Sequence, residues 1–170
     1  RNIEQILGVA KAYVTRVGGG PFPTEIGGEL EEEIRKRGQE YGATTGRPRR
    51  CGWFDAVAMR YVASMNGLDG ILLNKVDILS GLPELKICTA YEHPTLGTLQ
   101  HFPGNLAVLS ECQPVYQNFP GWDKDISEIR SFSALPQNAQ QFIRAIEEYS
   151  QVAVAKIGVG PERDAWIKPN

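Results

Sequence analysis

Apolar residues recur along this chain with two periods that alternate, and the alternation predicts strands interleaved with helices. From Gly8 to Val17 the chain is rich in Val, Ala, Tyr and Thr, which predicts a strand halted at Gly18-Gly19-Gly20-Pro21, with a loop running on through Pro23. Glu29 to Arg37 places acids before bases as a helix dipole favours and predicts a short, solvent-facing helix. The clearest helical spacing runs from Gly52 to Met65, where Phe54, Val57, Ala58, Tyr61, Val62 and Met65 repeat at i, i+3, i+4 and predict a stripe packed on a sheet. Gly70-Ile71-Leu72-Leu73 is a short apolar run bounded by turn residues, the pattern of a strand covered on both faces.

A further strand is expected over Leu85 to Tyr91, and the stretch from there to Trp122 reads as loop, with Pro and Gly scattered among short hydrophobic pieces. After Pro136, the positions Ala139, Phe142, Ile143, Ile146 and Tyr149 give a second amphipathic helix, and Val152 to Val159 reads as a last strand ending in Gly158-Val159-Gly160-Pro161. The predicted fold is α/β, a largely parallel central sheet flanked by helices, with ligands expected beyond the carboxyl ends of the strands. At 170 residues and 42% hydrophobic content, residues 1–170 are expected to form a single globular unit.

Charge narrows the possible partners. The 18 basic and 20 acidic residues nearly cancel, so no general field attracts nucleic acid or an anionic membrane, and any anion must be gripped locally. Cys51, Cys88 and Cys112 lie far apart without a CxxC pair, which suits reduced thiols of a cytoplasmic protein rather than a disulfide framework or zinc site. No apolar run approaches the ~20 residues that cross a bilayer, and the opening Arg-Asn-Ile-Glu lacks the apolar segment of a signal peptide. Arg1 is not an initiating methionine, and Ile6 to Val17 reads as structure already under way, so a cut from a longer chain is expected.

Four segments can carry chemistry. Asn74-Lys75-Val76-Asp77 follows a buried strand; a carboxylate there can accept from both the ring N–H and the exocyclic amine of guanine while a lysine stem lies across the base. An ordinary strand-to-loop turn is the competing reading. Gly42-Ala43-Thr44-Thr45-Gly46-Arg47-Pro48-Arg49-Arg50 joins two hydroxyls to three arginines, suited to a small dianion beside a phosphate, or else a solvated basic turn. The glycines of Arg16 to Thr24 permit close approach of a backbone or ligand, and Gly158 to Pro161 could wall a flat base or be a plain turn. His93 and His101 have no metal-ligand spacing and read as packed or surface residues, and Trp53, Trp122 and Trp166 as packing.

Taken in order, Val14-Thr15-Arg16-Val17-Gly18-Gly19-Gly20-Pro21-Phe22-Pro23-Thr24-Glu25, Gly42-Ala43-Thr44-Thr45-Gly46-Arg47, Gly52-Trp53-Phe54-Asp55 and Lys75-Val76-Asp77 closely resemble the adenylosuccinate synthetase family. The likeness extends through Pro120-Gly121-Trp122 and Gly160-Pro161-Glu162-Arg163, and is poorest from His93 to Cys112. It implies the carboxy-terminal part of a larger P-loop-like ligase fold from purine (AMP) biosynthesis. There GTP phosphorylates the 6-oxygen of IMP, and L-aspartate displaces that phosphate to give adenylosuccinate, GDP and phosphate.

By position, the resemblance assigns L-aspartate to Ala43, Thr44, Thr45, Gly46, Arg47, Pro48 and Arg49. It places Val17 and Arg47 on IMP, and gives Arg47 and Arg49 the catalytic roles. Arg49 also reaches the GTP phosphates, Lys75, Val76 and Asp77 take guanine, and Gly158, Val159, Gly160 and Pro161 line the base. It further implies a cytoplasmic homodimer with no nucleic-acid or membrane partner. Mg2+, the phosphate loop and the catalytic aspartate and histidine belong to an absent amino-terminal half, with no metal ligand in this chain. Pro48 stands where the family often has arginine, Asn74 where threonine is common, and Gly158 where a serine hydroxyl usually helps hold guanine. The alternatives at this point are a guanine-nucleotide switch module, a non-catalytic interaction domain, and nucleic-acid binding through Arg47 to Arg50.

Overall fold

The computed structural model describes residues 4–169. Arg1, Asn2, Ile3 and Asn170 lie outside the described residues, and with them most of the opening Arg-Asn-Ile-Glu read above for a signal peptide. The strands are β1 (Leu7–Lys11), β2 (Val14–Arg16), β3 (Arg50–Gly52), β4 (Phe54–Asp55), β5 (Gly70–Asn74), β6 (Glu84–His93), β7 (Gly97–Leu99), β8 (Gln113–Pro120), β9 (Val154–Gly158) and β10 (Trp166–Ile167). The α-helices are α1 (Gly28–Arg37), α2 (Ala56–Asn66), α3 (Leu106–Glu111) and α4 (Gln137–Ser150).

The sheet that positions the site has the order β1-β5-β9-β10. Its first three strands are parallel, with Lys11 opposite Asn74 and Leu73 opposite Ile157, and β10 closes it antiparallel. The carboxyl ends of the three parallel strands therefore end together, fixed by Ala12 N–H to Asn74 O at 2.9 Å and Val76 N–H to Gly158 O at 3.2 Å. Ile71, Leu73, Val154 and Ile157 are buried in one core with Phe142, Ile143 and Ile146 of α4. A second sheet pairs β6 parallel with β4 and antiparallel with β7 and β8, so parallel pairing dominates only the first sheet.

Local chemistry explains where α2 and α4 begin and end. The Asp55 carboxylate accepts from Ala58 N–H at 2.9 Å as the cap of α2, and Gly67 ends it in the left-handed region at φ 59. Pro136 precedes the first turn of α4, and Gln151 closes that helix at φ 55. A Cβ on Gly121 would stand 1.6 Å from the Leu82 carbonyl oxygen, so only glycine permits that crossing of chains.

Several expectations are corrected. The strand read from Gly8 to Val17 is two strands, because Ala12 and Tyr13 are both turned inward, which breaks strand alternation and bends the chain. The helix expected from Gly52 begins at Ala56, since Gly52 pairs with Val14 and Phe54-Asp55 pairs with β6. Its stripe does not pack as expected: Tyr61, Val62 and Met65 are exposed, Met65 by 67%, while Ala56, Val57 and Ala63 face inward. The small side chains let α2 lie close to α4 and β6, and packing overrides the periodic pattern.

The stretch from Tyr91 to Trp122, read as loop, holds β7, α3 and the eight-residue strand β8. Prolines at both ends of β8 disguised it, and a half-exposed strand beside one partner tolerates them. Val154 to Gly158 is not the last strand; β10 follows it.

This division of surface and core gives a direct contrast. Phe142→Ala is expected to cost about 3–5 kcal/mol of unfolding free energy, as for a fully buried ring. Met65→Ser should change it by no more than about 0.5 kcal/mol. Urea denaturation of the two variants measures both.

Candidate functional site

The site forms where the parallel strands end. Beyond β5 the backbone of Lys75 enters the left-handed region at φ 60, a conformation that costs a residue with a Cβ of order 1 kcal/mol. That turn aims the side chain sideways. Lys75 Nζ donates to Gly38 O at 2.6 Å and to Glu40 Oε1 at 2.7 Å. Asp77 opens a short 3-10 turn immediately after, and burial pushes its carboxyl above the ordinary aspartate value. Among the described residues Asp77 is in no ion pair.

Lys75, Asp77, Gly160 and Pro161 line one cleft of about 440 Å³, with Arg37, Gly38, Gln39, Asn74, Ile78 and Trp166 completing the walls. Four of the residues expected around guanine are thus brought together. Val76, Gly158 and Val159 are buried and shape the cleft from behind rather than opening into it. A Cβ on Gly158 would lie 3.1 Å from both Cα and Cβ of Asn74, so these two positions adjoin where β5 and β9 end.

The arginine loop is a tight hairpin. Gly42 N–H donates to Arg47 O and Gly46 N–H to Gly42 O, each at 2.8 Å, Tyr41 bridges to Pro48, and Gly46 turns at φ 65. Ala43, Thr44, Thr45, Gly46, Arg47 and Pro48 are all exposed. Arg49 turns back instead, its Nη1 donating to Glu40 Oε2 at 2.7 Å.

Val17 is 74% exposed at the end of β2. The β2–β3 pairing sets Arg16 opposite Arg50, which brings the glycine loop beside the arginine loop. Arg50, to which the sequence reading gave no individual role, donates to Gly18 O at 3.3 Å and Gly20 O at 3.0 Å and forms two bonds with Glu25. With Arg49 and Arg50 both committed to carboxylates, the run from Arg47 to Arg50 does not form a free cationic stripe for nucleic acid.

The residue that sequence reasoning missed is Glu40. It is fully buried, and its two oxygens accept from Tyr13 Oη, Lys75 Nζ, Lys11 Nζ and Arg49 Nη1, each at 2.7 Å. Burial alone would raise its pKa; the bonds from Lys11, Lys75, Tyr13 and Arg49 outweigh burial and hold it at about 2. Burial lowers the pKa of Lys11 against the pull of Glu40, and burial followed by Glu40 pushes the Tyr13 hydroxyl upward. In sequence Glu40 carries no motif; the one available signal was a lone acid just before a glycine-bounded arginine loop.

Other groups are structural. His93 is buried with Nδ1 facing the N–H groups of Thr95 and Leu96 at 3.2 Å. Cys51, Cys88 and Cys112 are unpaired and buried, and burial pushes the Cys51 thiol up to about 11. A cavity of about 800 Å³ lies beside Arg60, Tyr61 and Phe102, and there Arg60 is spent on the carbonyls of Tyr149, Thr89 and Gln100. Among the described residues no three His, Cys, Asp or Glu side chains converge in a way that could hold a metal ion, and no helix is long and apolar enough to cross a membrane.

The buried Glu40 carboxylate makes stability pH-dependent with a definite sign. Because folding lowers the Glu40 pKa from 4.5 to about 2, its contribution is complete above 4.5 and disappears as pH falls toward 2. At about 1.4 kcal/mol for each tenfold in proton affinity, it amounts to about 3 kcal/mol. Glu40→Gln is expected to lower stability at pH 7 by about 3–5 kcal/mol and to flatten the acid limb over that window. Urea unfolding from pH 7 down to pH 2 measures both.

Comparison with known proteins fixes the family. A family model described as adenylosuccinate synthetase matches residues 1–167. The chain is 50% identical over 165 residues to adenylosuccinate synthetase of Desulforamulus reducens, covering 97% of this chain and 38% of that protein. It is 53% identical over 167 residues to the chloroplastic adenylosuccinate synthetase of Triticum aestivum, covering 98% and 35% respectively. The fold matches fully ligated adenylosuccinate synthetase from Plasmodium falciparum with a TM-score of 0.93 at 42% identity, over 99% of this chain and 40% of that one. The chain therefore spans about two-fifths of the length of these relatives, and it belongs to the adenylosuccinate synthetase family.

Proposed function

We propose that this chain is the part of a GTP-dependent adenylosuccinate synthetase that reads guanine and holds L-aspartate. In the whole enzyme, GTP phosphorylates the 6-oxygen of IMP and the aspartate amine displaces that phosphate. The observation that carries this reading is the meeting of two assigned groups, Arg49 from the arginine loop and Lys75 from the strand end, on one buried carboxylate beside the cleft that contains Asp77.

Each residue then has a chemical task. The Asp77 carboxylate accepts from the guanine ring N–H and 2-amino group, and those donors favour its charged form against the burial that disfavours it. The aliphatic stem of Lys75 lies along the base, with Gly160 and Pro161 on the cleft wall. Arg47, exposed at the hairpin tip, is free to pair with the aspartate carboxylates and the IMP ribose. Arg49 spends one N–H on Glu40 and keeps others for phosphate oxygens, where charge builds in the transition state.

The remaining portion supplies the phosphate loop, the catalytic aspartate and histidine, and the Mg2+ ligands. Magnesium there would neutralise phosphate charge. A homodimer in a reducing compartment such as the cytoplasm suits the family and the three unpaired, buried thiols.

Adenylosuccinate formation from IMP, L-aspartate and GTP tests the reading, with this chain alone and with the remaining portion of a family member added in trans. Activity is expected only on mixing, because catalysis needs both parts positioned together. No activity from two folded, associated pieces would leave the chain without this function. In the reconstituted enzyme, Asp77→Asn is expected to shift nucleotide preference from GTP toward xanthosine triphosphate, whose 2-oxo group accepts where guanine donates. An Asp77→Asn enzyme that still preferred GTP would remove the guanine assignment.

A further inference from the structure

Glu40 has more partners than its burial requires. Tyr13 and Lys11 already give each carboxylate oxygen one donor at 2.7 Å, and the other two donors are Lys75 and Arg49, groups from separate segments of the site. The backbone of Glu40 is pinned as well: its N–H donates to Arg35 O and its carbonyl accepts from Arg49 N–H, both at 2.9 Å. The carboxylate is therefore a fixed point against which both cations are aimed.

We propose that Glu40 is a positioning residue that couples the guanine cleft to the arginine loop, so that nucleotide and L-aspartate strengthen one another's binding through the shared carboxylate. The proposal rests on the functional reading above and adds a residue that would contact neither substrate. Charge and valence both fit this role. Three cations surround one anion, so the cluster stays net positive and attractive to a triphosphate after Glu40 is satisfied. Arg49 gives Glu40 only one of the five N–H donors of a guanidinium, which leaves a free edge held at a set angle.

Lys75 is similarly restrained between Gly38 O and Glu40, in a backbone conformation it would not hold unaided. A ligand that pulls on Arg49 pulls on the carboxylate that also aims Lys75. Such coupling is reciprocal.

The test is steady-state kinetics on the reconstituted enzyme with Glu40→Gln, which keeps the shape and removes the charge. The KM values for GTP and L-aspartate are each expected to rise about tenfold, while that for IMP moves less than about threefold, because neither clamped group is assigned to it. Glu40→Asp, which restores the charge one methylene short, should recover part of both losses. If Glu40→Gln does not fold, a rise in the same two constants in Glu40→Asp decides the question.

Ile146→Val, a core change in α4, serves as the stability control and should leave all three KM values within about twofold. Glu40 variants that melt earlier yet keep the GTP and aspartate constants of the wild type would overturn the proposal and reduce Glu40 to a structural ion-pair partner. A wild-type assembly that made no adenylosuccinate would instead remove the functional reading on which the proposal stands.

Discussion

A carboxylate with no access to water, accepting from three cations and a phenol, is the constraint around which this structure is arranged. An unpaired charge at Glu40 would be intolerable, so every donor must arrive together: Lys11 and Tyr13 from one segment, Lys75 from the end of β5, Arg49 from the far side of the hairpin. The bend that splits the first predicted strand follows from this demand, because it turns Tyr13 inward. The left-handed turn at Lys75 brings another donor to the same point. These two local irregularities are places where the chain bends to satisfy one buried ion.

The rest of the site inherits its geometry from that point. Parallel strands whose carboxyl ends coincide offer a ledge of backbone, and the cleft opens off the ledge. What the ledge lacks is a way to hold long cationic side chains still, and an exposed lysine or arginine carries about 2 kcal/mol of rotamer entropy. Clamping Lys75 and Arg49 before any ligand arrives removes much of that cost. The hairpin tip around Arg47 stays in water and is positioned by its own backbone bonds and by the Thr45 hydroxyl, which accepts from Arg47 N–H.

How much of this was legible in the sequence depended on whether a residue's role was local. The strand at Gly70, the helix after Pro136 and the polar group at Asn74 to Asp77 were readable because period, capping and placement are written within a few residues. Adjacent pairing of the glycine and arginine loops was not, since it depends on β2 meeting β3 across 33 intervening residues, Val17 to Arg49. Glu40 was invisible for the same reason: its four side-chain donors come from positions 11, 13, 49 and 75. The stripe on α2 misled in the opposite direction. Tyr61, Val62 and Met65 have the spacing of a core face and lie on the surface, because a helix whose small residues face its neighbours leaves its large ones outside.

The close approach of Asn74 to Gly158 bears on what can replace that glycine. A Cβ at position 158 would stand 3.1 Å from both Cα and Cβ of Asn74 and 3.3 Å from the indole of Trp166, so two strand ends and an aromatic ring close on a site that has no side chain. The Cα and Cβ of residue 74 would be there with any side chain but glycine's, so a larger residue at 158 is admitted by a shift of the strand ends or of the indole and not by trimming Asn74. Because Trp166 also forms part of the cleft wall, such a shift would be felt by whatever the cleft holds.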